Sequence, residues 1–180
     1  MKTILLLFAV TVWSNPAAQA PTVADKNAPS KITIATQDEP GERLTVAGRV
    51  LGQDGITPLA GASVYVYHTD VEGYYSPDTN DNRNPRLRGY MRSDAQGRYE
   101  FSTIKPGSYP NSRVPAHIHY VVNAAGFSER IFEIVFEGDP FIDDKVRREA
   151  ANEWSGFSLR RLEKADRGGW RCTQDVKLQR

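Results

Sequence analysis

Hydrophobic and polar residues alternate with a period of two in several short segments of this chain of 180 residues. Within residues 61–70, Val64 and Val66 fall on one face, while Tyr65 and Tyr67 fall on the other. Successive side chains of a strand point to opposite faces of its sheet, so this segment predicts a half-buried β-strand. The same pattern predicts strands at residues 44–51, 89–93, 98–103, 117–123, 131–137 and 170–178.

Turn-forming residues separate these segments. Asp54 and Gly55 form one turn signal, and residues 94–97 form another that ends in glycine. Residues 145–154 predict a single short helix. Many short strands with no helices alternating between them favour two packed sheets. We therefore predict an all-β fold: a β-sandwich of mostly antiparallel strands with one short helix near the C-terminus.

The first 20 residues have the pattern of a secretory signal peptide. Lys2 precedes an apolar run over residues 4–12, and the small residues Ala18 and Ala20 follow it. A membrane span needs about 20 apolar residues, so we predict export to the periplasm or the extracellular space and no membrane span. The alternative is a buried N-terminal strand or helix. Residues 21–41 are polar and predict a linker or N-terminal arm, which leaves residues 42–180 as the domain.

The charge and the cysteine content exclude some classes of protein. The chain has 23 Lys and Arg against 22 Asp and Glu, a formal net charge of +1. This balance gives no basic excess of the kind that nucleic-acid binding needs, so no nucleic-acid partner is expected. Cys172 is the only cysteine, which excludes a disulfide within the chain. Its position in a predicted strand favours a buried, unreactive thiol.

Two of the three histidines form a His-x-His pair at His117 and His119. In a strand, residues two apart project from the same face, so both imidazoles can contact one ion. Zinc, copper, manganese and iron sites all use this pair, and the spacing alone does not choose among them. Tyr75 and Tyr109 lie in loops on either side of a predicted hairpin, where a tyrosine is usually a packing residue.

Longer motifs change that interpretation. They include DVEGYY at residues 70–75, KPGSYP at 105–110 and PAHIHY at 115–120. With residues 61–64, 93–101 and 136–140, these motifs resemble the intradiol ring-cleavage dioxygenases, the family of the catechol and protocatechuate dioxygenases. The resemblance covers about residues 44–142 in matching order.

The resemblance implies a non-haem Fe(III) cofactor held by Tyr75, Tyr109, His117 and His119. Tyr74 is the alternative to Tyr75. It further implies that Tyr109 is the ligand displaced by substrate, while Tyr75 stays bound. Two phenolates, two neutral imidazoles and one hydroxide would bring the ferric ion to zero net charge, and a neutral cluster can be buried. The implied reaction cleaves a catechol-type ring between its hydroxylated carbons with O2 to give a muconate-type diacid.

Two positions depart from the family pattern. Familiar members place an arginine directly before the proline of the PAHIH segment, where this chain has Val114, with Arg113 one residue earlier. We expect Arg113 to be the catalytic residue that stabilises negative charge on the substrate. Familiar members also carry a glutamine near the iron where this chain has Glu133, an anion that would need a proton or a partner such as Arg113 or Arg130.

Two other functions are compatible with part of the sequence. Residues 48–50, 58–62 and 94–101 also resemble transthyretin-like sandwich modules, which need no metal, so a secreted binding module is the main alternative. The other is a dioxygenase relative that binds iron or catechols without turnover. His68, the third histidine, is expected to be structural rather than part of the site. The sequence does not identify which catechol is used or the oligomeric state.

Overall fold

The computed structural model describes residues 22–77, 81–166 and 168–180. The predicted signal peptide at residues 1–20 therefore lies outside the described residues. Within the described part of the chain, no helix has the length and apolar character needed to cross a bilayer. The elements in chain order are β1 (Lys31–Thr33), β2 (Arg43–Leu51), β3 (Ser63–His68), β4 (Leu87–Arg92), β5 (Arg98–Ile104), β6 (His117–Asn123), β7 (Arg130–Phe136), α1 (Asp144–Ala150), β8 (Phe157–Arg160), β9 (Glu163–Lys164), β10 (Trp170–Thr173) and β11 (Val176–Lys177).

The strands form two sheets that pack face to face, which confirms the predicted all-β sandwich, and the described residues contain one short helix. The first sheet has the order β1-β5-β2-β10-β9, and β11 extends it by pairing with β2. The second has the order β4-β3-β6-β7-β8. Its first four strands, β4, β3, β6 and β7, are antiparallel neighbours. Both sheets are mixed, because β1, β8, β10 and β11 pair in parallel.

The core between the sheets is built from the faces that the alternation predicts. Val64 and Val66 of β3 pack with Ile118 and Tyr120 of β6, and all four side chains are fully buried. The period of two consequently places His117 and His119 on the opposite face of β6, outside the sandwich. The site is therefore built on a sheet whose other face is the hydrophobic core.

Residues 22–41 are an arm held against the sandwich rather than a loosely attached linker. Within the arm, β1 pairs in parallel with β5. Arg92 of β4 donates hydrogen bonds to the main-chain carbonyls of Ala24 and Asp25, at 2.9 and 3.0 Å. Ile32 and Ile34 of the arm also pack against the hydrophobic core, so both main-chain hydrogen bonds and apolar contacts hold this mostly polar segment.

The structure changes the bounds of two predicted elements and confirms that the cysteine is buried. The helix begins after Asp143, whose side chain accepts a hydrogen bond from the main-chain N–H of Val146 at 2.9 Å, and it ends at Ala150, before the predicted end. The predicted closing strand divides into β10 and β11 around residues 174–175. Cys172 is buried and unpaired, and burial raises the pKa of its thiol to about 11, so it is an unreactive core residue.

His68 is a structural residue between the two sheets. Its side chain is fully buried. Its Nδ1–H donates to the carbonyl oxygen of Thr69 at 2.6 Å, and its Nε2 accepts from the hydroxyl of Thr103 at 2.7 Å. Both ring nitrogens are occupied, so His68 has no free nitrogen for a metal or a substrate.

Candidate metal centre

The outward face of β6 presents both histidines of the His-x-His pair between two neighbouring strands. In the sheet register, His119 lies directly opposite Tyr67 of β3 and Glu133 of β7. The ring of Tyr67 stacks on the ring of His119, with centroids 4.3 Å apart and planes inclined by 13°. The pair is thus set on a rigid sheet, with an aromatic neighbour on one side and a carboxylate on the other.

Two loops bring the tyrosines to this face. Tyr75 follows β3, and Tyr109 lies between β5 and β6. The loops are joined where the main-chain N–H of Gly107 donates to the carbonyl of Asp70 at 2.8 Å and the hydroxyl of Thr69 donates to the carbonyl of Gly107 at 2.7 Å.

Gly73 allows these loops to approach each other closely. Its φ is +91°, a conformation that favours glycine, and a Cβ built there would lie 2.0 Å from the carbonyl oxygen of Ser108. Ser108 directly precedes Tyr109. The glycine in the DVEGYY motif therefore sets the distance between the loop that carries Tyr75 and the loop that carries Tyr109.

Four donor atoms meet at one point. The hydroxyl oxygen of Tyr75 lies 2.6 Å from Nε2 of His119, and that of Tyr109 lies 3.0 Å from Nε2 of His117. The two Nε2 atoms are 3.1 Å apart, and the two phenol oxygens are in contact. The structure thus brings together all four residues expected to be metal ligands, and the tyrosine in this cluster is Tyr75 rather than Tyr74.

The opposite ring nitrogens fix the orientation of both histidines. Nδ1–H of His117 donates to the carbonyl oxygen of Pro115 at 2.7 Å, and Nδ1–H of His119 donates to Glu133 at 3.1 Å. Because these acceptors take the Nδ1 protons, the unprotonated Nε2 atoms face the centre. Metal-binding histidines usually have such a partner on the ring nitrogen that does not bind the metal.

Burial keeps the metal-free groups uncharged. It raises the pKa of Tyr75 and that of Tyr109, so without a cation both phenols keep their protons at neutral pH. Burial also lowers the pKa of His117, which favours the neutral imidazole. Tyr75 is only 2% exposed, whereas Tyr109 is partly accessible to solvent. The two tyrosines therefore differ in their access to solvent.

Glu133 pairs with neither arginine that the sequence suggested. The guanidinium of Arg113 lies 5.7 Å from the ring centre of Phe141, and that of Arg130 donates to the carbonyls of Lys177 and Glu153. The expected partners were wrong because the register of β6 and β7 places Glu133 opposite His119. Burial acts to raise the pKa of Glu133, but the hydrogen bond from His119 and the attraction of both imidazoles outweigh it and lower that pKa.

Glu133 is close enough to the histidines to be considered as a ligand itself. Donor atoms of His117, His119 and Glu133 all lie within 4.8 Å of one another. The carboxylate, however, contacts Nδ1 of His119, while the tyrosines contact Nε2. Glu133 therefore contacts the ring nitrogen of His119 that faces away from the tyrosines, and it orients this ligand rather than binding the metal itself. Sequence reasoning missed this contact and the Tyr67 stacking, both of which follow from the pairing of β6 with its neighbours.

The chain is similar in sequence to known dioxygenases. The family model described as Dioxygenase matches residues 16–178. Catechol 1,2-dioxygenase 2 of Acinetobacter lwoffii is 36% identical over 122 residues, which cover 59% of this chain and 44% of that protein. The protocatechuate 3,4-dioxygenase beta chain of Burkholderia cepacia is also 36% identical, over 63% of this chain and 52% of that one. The chain spans about half or less of the length of these relatives.

Solved structures share the fold. The dioxygenase domain of a carbohydrate-binding fusion protein from Streptomyces sp. SirexAA-E matches with a TM-score of 0.64 and 25% identity, covering 92% of this chain and 99% of that one. Catechol 1,2-dioxygenase from Acinetobacter sp. ADP1 matches with a TM-score of 0.66 over 88% of this chain and 60% of that one. The family expected from the motifs is thus confirmed, and the chain belongs to the intradiol dioxygenases.

Proposed function

We propose that this protein is a non-haem Fe(III)-dependent intradiol dioxygenase. It cleaves a catechol-type ring between its two hydroxylated carbons and incorporates both atoms of O2, giving a muconate-type diacid. The observation that carries this proposal is the convergence of two phenol oxygens and two Nε2 atoms from Tyr75, Tyr109, His117 and His119. A sandwich module without a metal has no need for such a cluster.

The donor set fits a ferric ion. The Nε2 atoms of the two imidazoles lie 3.1 Å apart, and with the protons on Nδ1 their lone pairs face each other, an arrangement that a cation would stabilise. The phenols have raised pKa values because they are buried, so a strongly charged ion is needed to hold them as phenolates. Held by Tyr75, Tyr109, His117 and His119, Fe(III) would make the ring of a catechol-type substrate reactive toward O2.

The two tyrosines have different roles in this proposal. Tyr75 is buried and contacts both Tyr109 and His119, so it stays in place during the reaction. Tyr109 lies in a loop and is partly accessible, so it can move away when substrate enters. Its phenolate oxygen then accepts a proton from a catechol hydroxyl, which gives Tyr109 the role of a catalytic base.

The role expected for Arg113, stabilising negative charge on the bound substrate, is part of the same proposal. Arg113 lies in the same loop as Tyr109, and its side chain is exposed beside Phe141. Replacement of Arg113 by alanine is expected to raise KM for catechol and to leave the visible spectrum of the iron-loaded protein unchanged. An unchanged KM would remove Arg113 from the substrate site.

We further propose that the protein acts outside the cytoplasm. The support is the charged start, apolar run and small-residue pattern of residues 1–20. Fractionation of the producing cells, with N-terminal sequencing of the recovered protein, tests this. Recovery of protein that retains residues 1–20 from the cytoplasm alone would contradict it.

The deciding experiment is a visible absorption spectrum of the purified protein loaded with ferric iron, before and after catechol is added without oxygen. A broad tyrosinate-to-iron charge-transfer band that shifts on addition is expected. Admission of oxygen should then consume one O2 per catechol and yield the diacid. A spectrum that shifts without oxygen uptake would indicate a catechol-binding relative without turnover. A colourless protein that takes up no iron would leave the secreted sandwich module.

A further inference from the structure

His119 and His117 differ in the group that accepts a hydrogen bond from their Nδ1–H. Nδ1–H of His117 donates to an uncharged acceptor, the carbonyl oxygen of Pro115, at 2.7 Å. A carboxylate oxygen of Glu133 lies 3.1 Å from Nδ1 of His119 and accepts a hydrogen bond from it. A carboxylate adds full negative charge to its hydrogen bond, and such bonds are stronger than those between neutral groups.

The contact is built into the sheet. Glu133 lies directly opposite His119 in the antiparallel pair of β6 and β7, and the main-chain N–H of Glu133 donates to the carbonyl of Gly156 at 2.8 Å. On the other side, Tyr67 stacks on the imidazole and limits its rotation. The side chains of His119 and Glu133 are only 12% and 27% exposed, so water competes weakly for this hydrogen bond.

Hydrogen bonds at both ring nitrogens of His119 link Tyr75 to Glu133. The hydroxyl of Tyr75 donates to Nε2 of His119 at 2.6 Å, and Nδ1–H donates to Glu133. This order requires one tautomer, with the proton on Nδ1 and the lone pair of Nε2 directed at the tyrosines. Without an acceptor at Glu133, the ring could hold its proton on Nε2 and donate it to the oxygen of Tyr75.

We infer that Glu133 is a positioning residue for His119: its carboxylate holds the Nδ1–H tautomer and strengthens Nε2 as a metal ligand. The effect on His119 stands on the hydrogen bonds alone, whereas the effect on the metal rests on the proposed function. A glutamine at this position could accept the same hydrogen bond through its amide oxygen, but it carries no charge. The glutamate at position 133 therefore places a negative charge beside Nδ1 of His119, which a glutamine would not.

Two variants separate the hydrogen bond from the charge. Glu133→Gln keeps an acceptor and removes the charge, and Glu133→Leu removes both. The matched controls are Glu129→Gln and Glu129→Leu, at an exposed glutamate just before β7. The first readout is the histidine tautomer in the metal-free protein, measured by long-range proton–nitrogen NMR of the imidazoles. The chain has three histidines, so the spectrum can be assigned with single variants.

In the wild-type protein and in Glu133→Gln, His119 is expected as the Nδ1–H tautomer. Glu133→Leu is expected to shift it toward the Nε2–H tautomer. The second readout is ferric-iron affinity, expected to fall about 10- to 100-fold in Glu133→Leu and much less in Glu133→Gln. The third is the visible band of the loaded protein. In Glu133→Gln it should move to longer wavelength, because the ion becomes easier to reduce when a nearby negative charge is lost.

The outcomes distinguish this inference from the proposed function. A Glu133→Leu protein with the wild-type tautomer, iron affinity and spectrum would overturn the inference, as would Glu129 variants that change these properties equally. If the wild-type protein takes up no iron, the proposed function fails, while the NMR comparison still decides whether Glu133 positions His119.

Discussion

The Nε2 atoms of His117 and His119 face each other at 3.1 Å, and the acceptors beside both Nδ1 atoms favour rings that carry their proton on Nδ1. These acceptors are Pro115 and Glu133. Two nitrogen lone pairs at this distance repel each other. The phenols of Tyr75 and Tyr109 can each donate a hydrogen bond to one Nε2 atom, but this does not move the two nitrogens apart. A cation removes the repulsion, so the metal-free centre is less stable than a loaded one.

Ferric iron is therefore expected to stabilise the folded protein. A ligand that binds only the folded state adds about 2.7 kcal/mol to the free energy of unfolding when its free concentration is about 100 times Kd. Thermal unfolding with and without iron measures this gain. The variants His117→Ala and His119→Ala should lose it, while the exposed Glu129→Gln should keep it. If both histidine variants gained as much stability from iron as the wild-type protein, iron would bind at another site.

Replacing each tyrosine by phenylalanine should give two different results. Tyr75→Phe removes a buried oxygen that contacts both Tyr109 and His119, so iron affinity and the visible band should both decrease strongly. Tyr109→Phe removes the partly accessible oxygen assigned as the proton acceptor. It should keep iron and part of the band, with kcat lowered about 100-fold or more.

The control for both tyrosine variants is Tyr74→Phe, which changes the neighbouring phenol outside the four-atom cluster. It should retain the iron, the spectrum and the rate of the wild-type protein. Indistinguishable spectra and rates for Tyr75→Phe and Tyr109→Phe would contradict the different roles that their burial supports.

Gly73 offers a test of the contact between the two tyrosine-bearing loops. Gly73→Ala combines an unfavourable φ of +91° with a Cβ 2.0 Å from the carbonyl oxygen of Ser108. Gly126→Ala is the matched control, because its φ is +80° but a Cβ there meets no atom within 4 Å. The control should cost about 1–2 kcal/mol for backbone strain alone.

Gly73→Ala should cost more than this control in denaturant unfolding, because the loop that carries Tyr109 must move to make room. Iron affinity should also decrease in Gly73→Ala and stay unchanged in Gly126→Ala. Equal stabilities and equal iron affinities for the two variants would show that the close approach of Gly73 to Ser108 does not set the position of Tyr109.

Alternation along the chain was sufficient to predict the faces of the central strands. It put Val64 and Val66 on one face of β3, and His117 and His119 on one face of β6. The structure shows that the first of these faces lies in the core. Period-two patterning carries no information about which residue lies opposite which in the next strand, so the contact of Glu133 with His119 could not be predicted from it. The positions of Tyr75 and Tyr109 came from the resemblance to a family, because tertiary contacts such as that of Gly73 fix those loops.

For residues 21–41, the polar composition left a linker and an N-terminal arm as alternatives. In the described residues 22–41, β1 pairs with β5 through main-chain hydrogen bonds, and Ile32 and Ile34 pack against the hydrophobic core. In contrast, the expectation that His68 is structural is confirmed, because the structure places its side chain fully buried on the inner face of β3.

His68 should make the stability of the metal-free protein depend on pH. Burial lowers its pKa from an ordinary value of 6.5 to about 4. Between these values the unfolded chain binds a proton that the folded protein excludes, so acid favours unfolding. The stabilisation from neutral His68 is fully present above about pH 6.5. It is lost as the pH falls toward 4, and the total change is about 3 kcal/mol.

His68→Gln isolates this contribution, because glutamine retains a donor and an acceptor but does not titrate. Urea unfolding of both proteins at several pH values from 4 to 7 measures the difference in the free energy of unfolding. This difference should shrink as the pH falls, since only the wild-type protein loses stability through residue 68. His117 titrates in both proteins and cancels from the comparison. A difference that stays constant across the range would show that His68 can be protonated within the folded core.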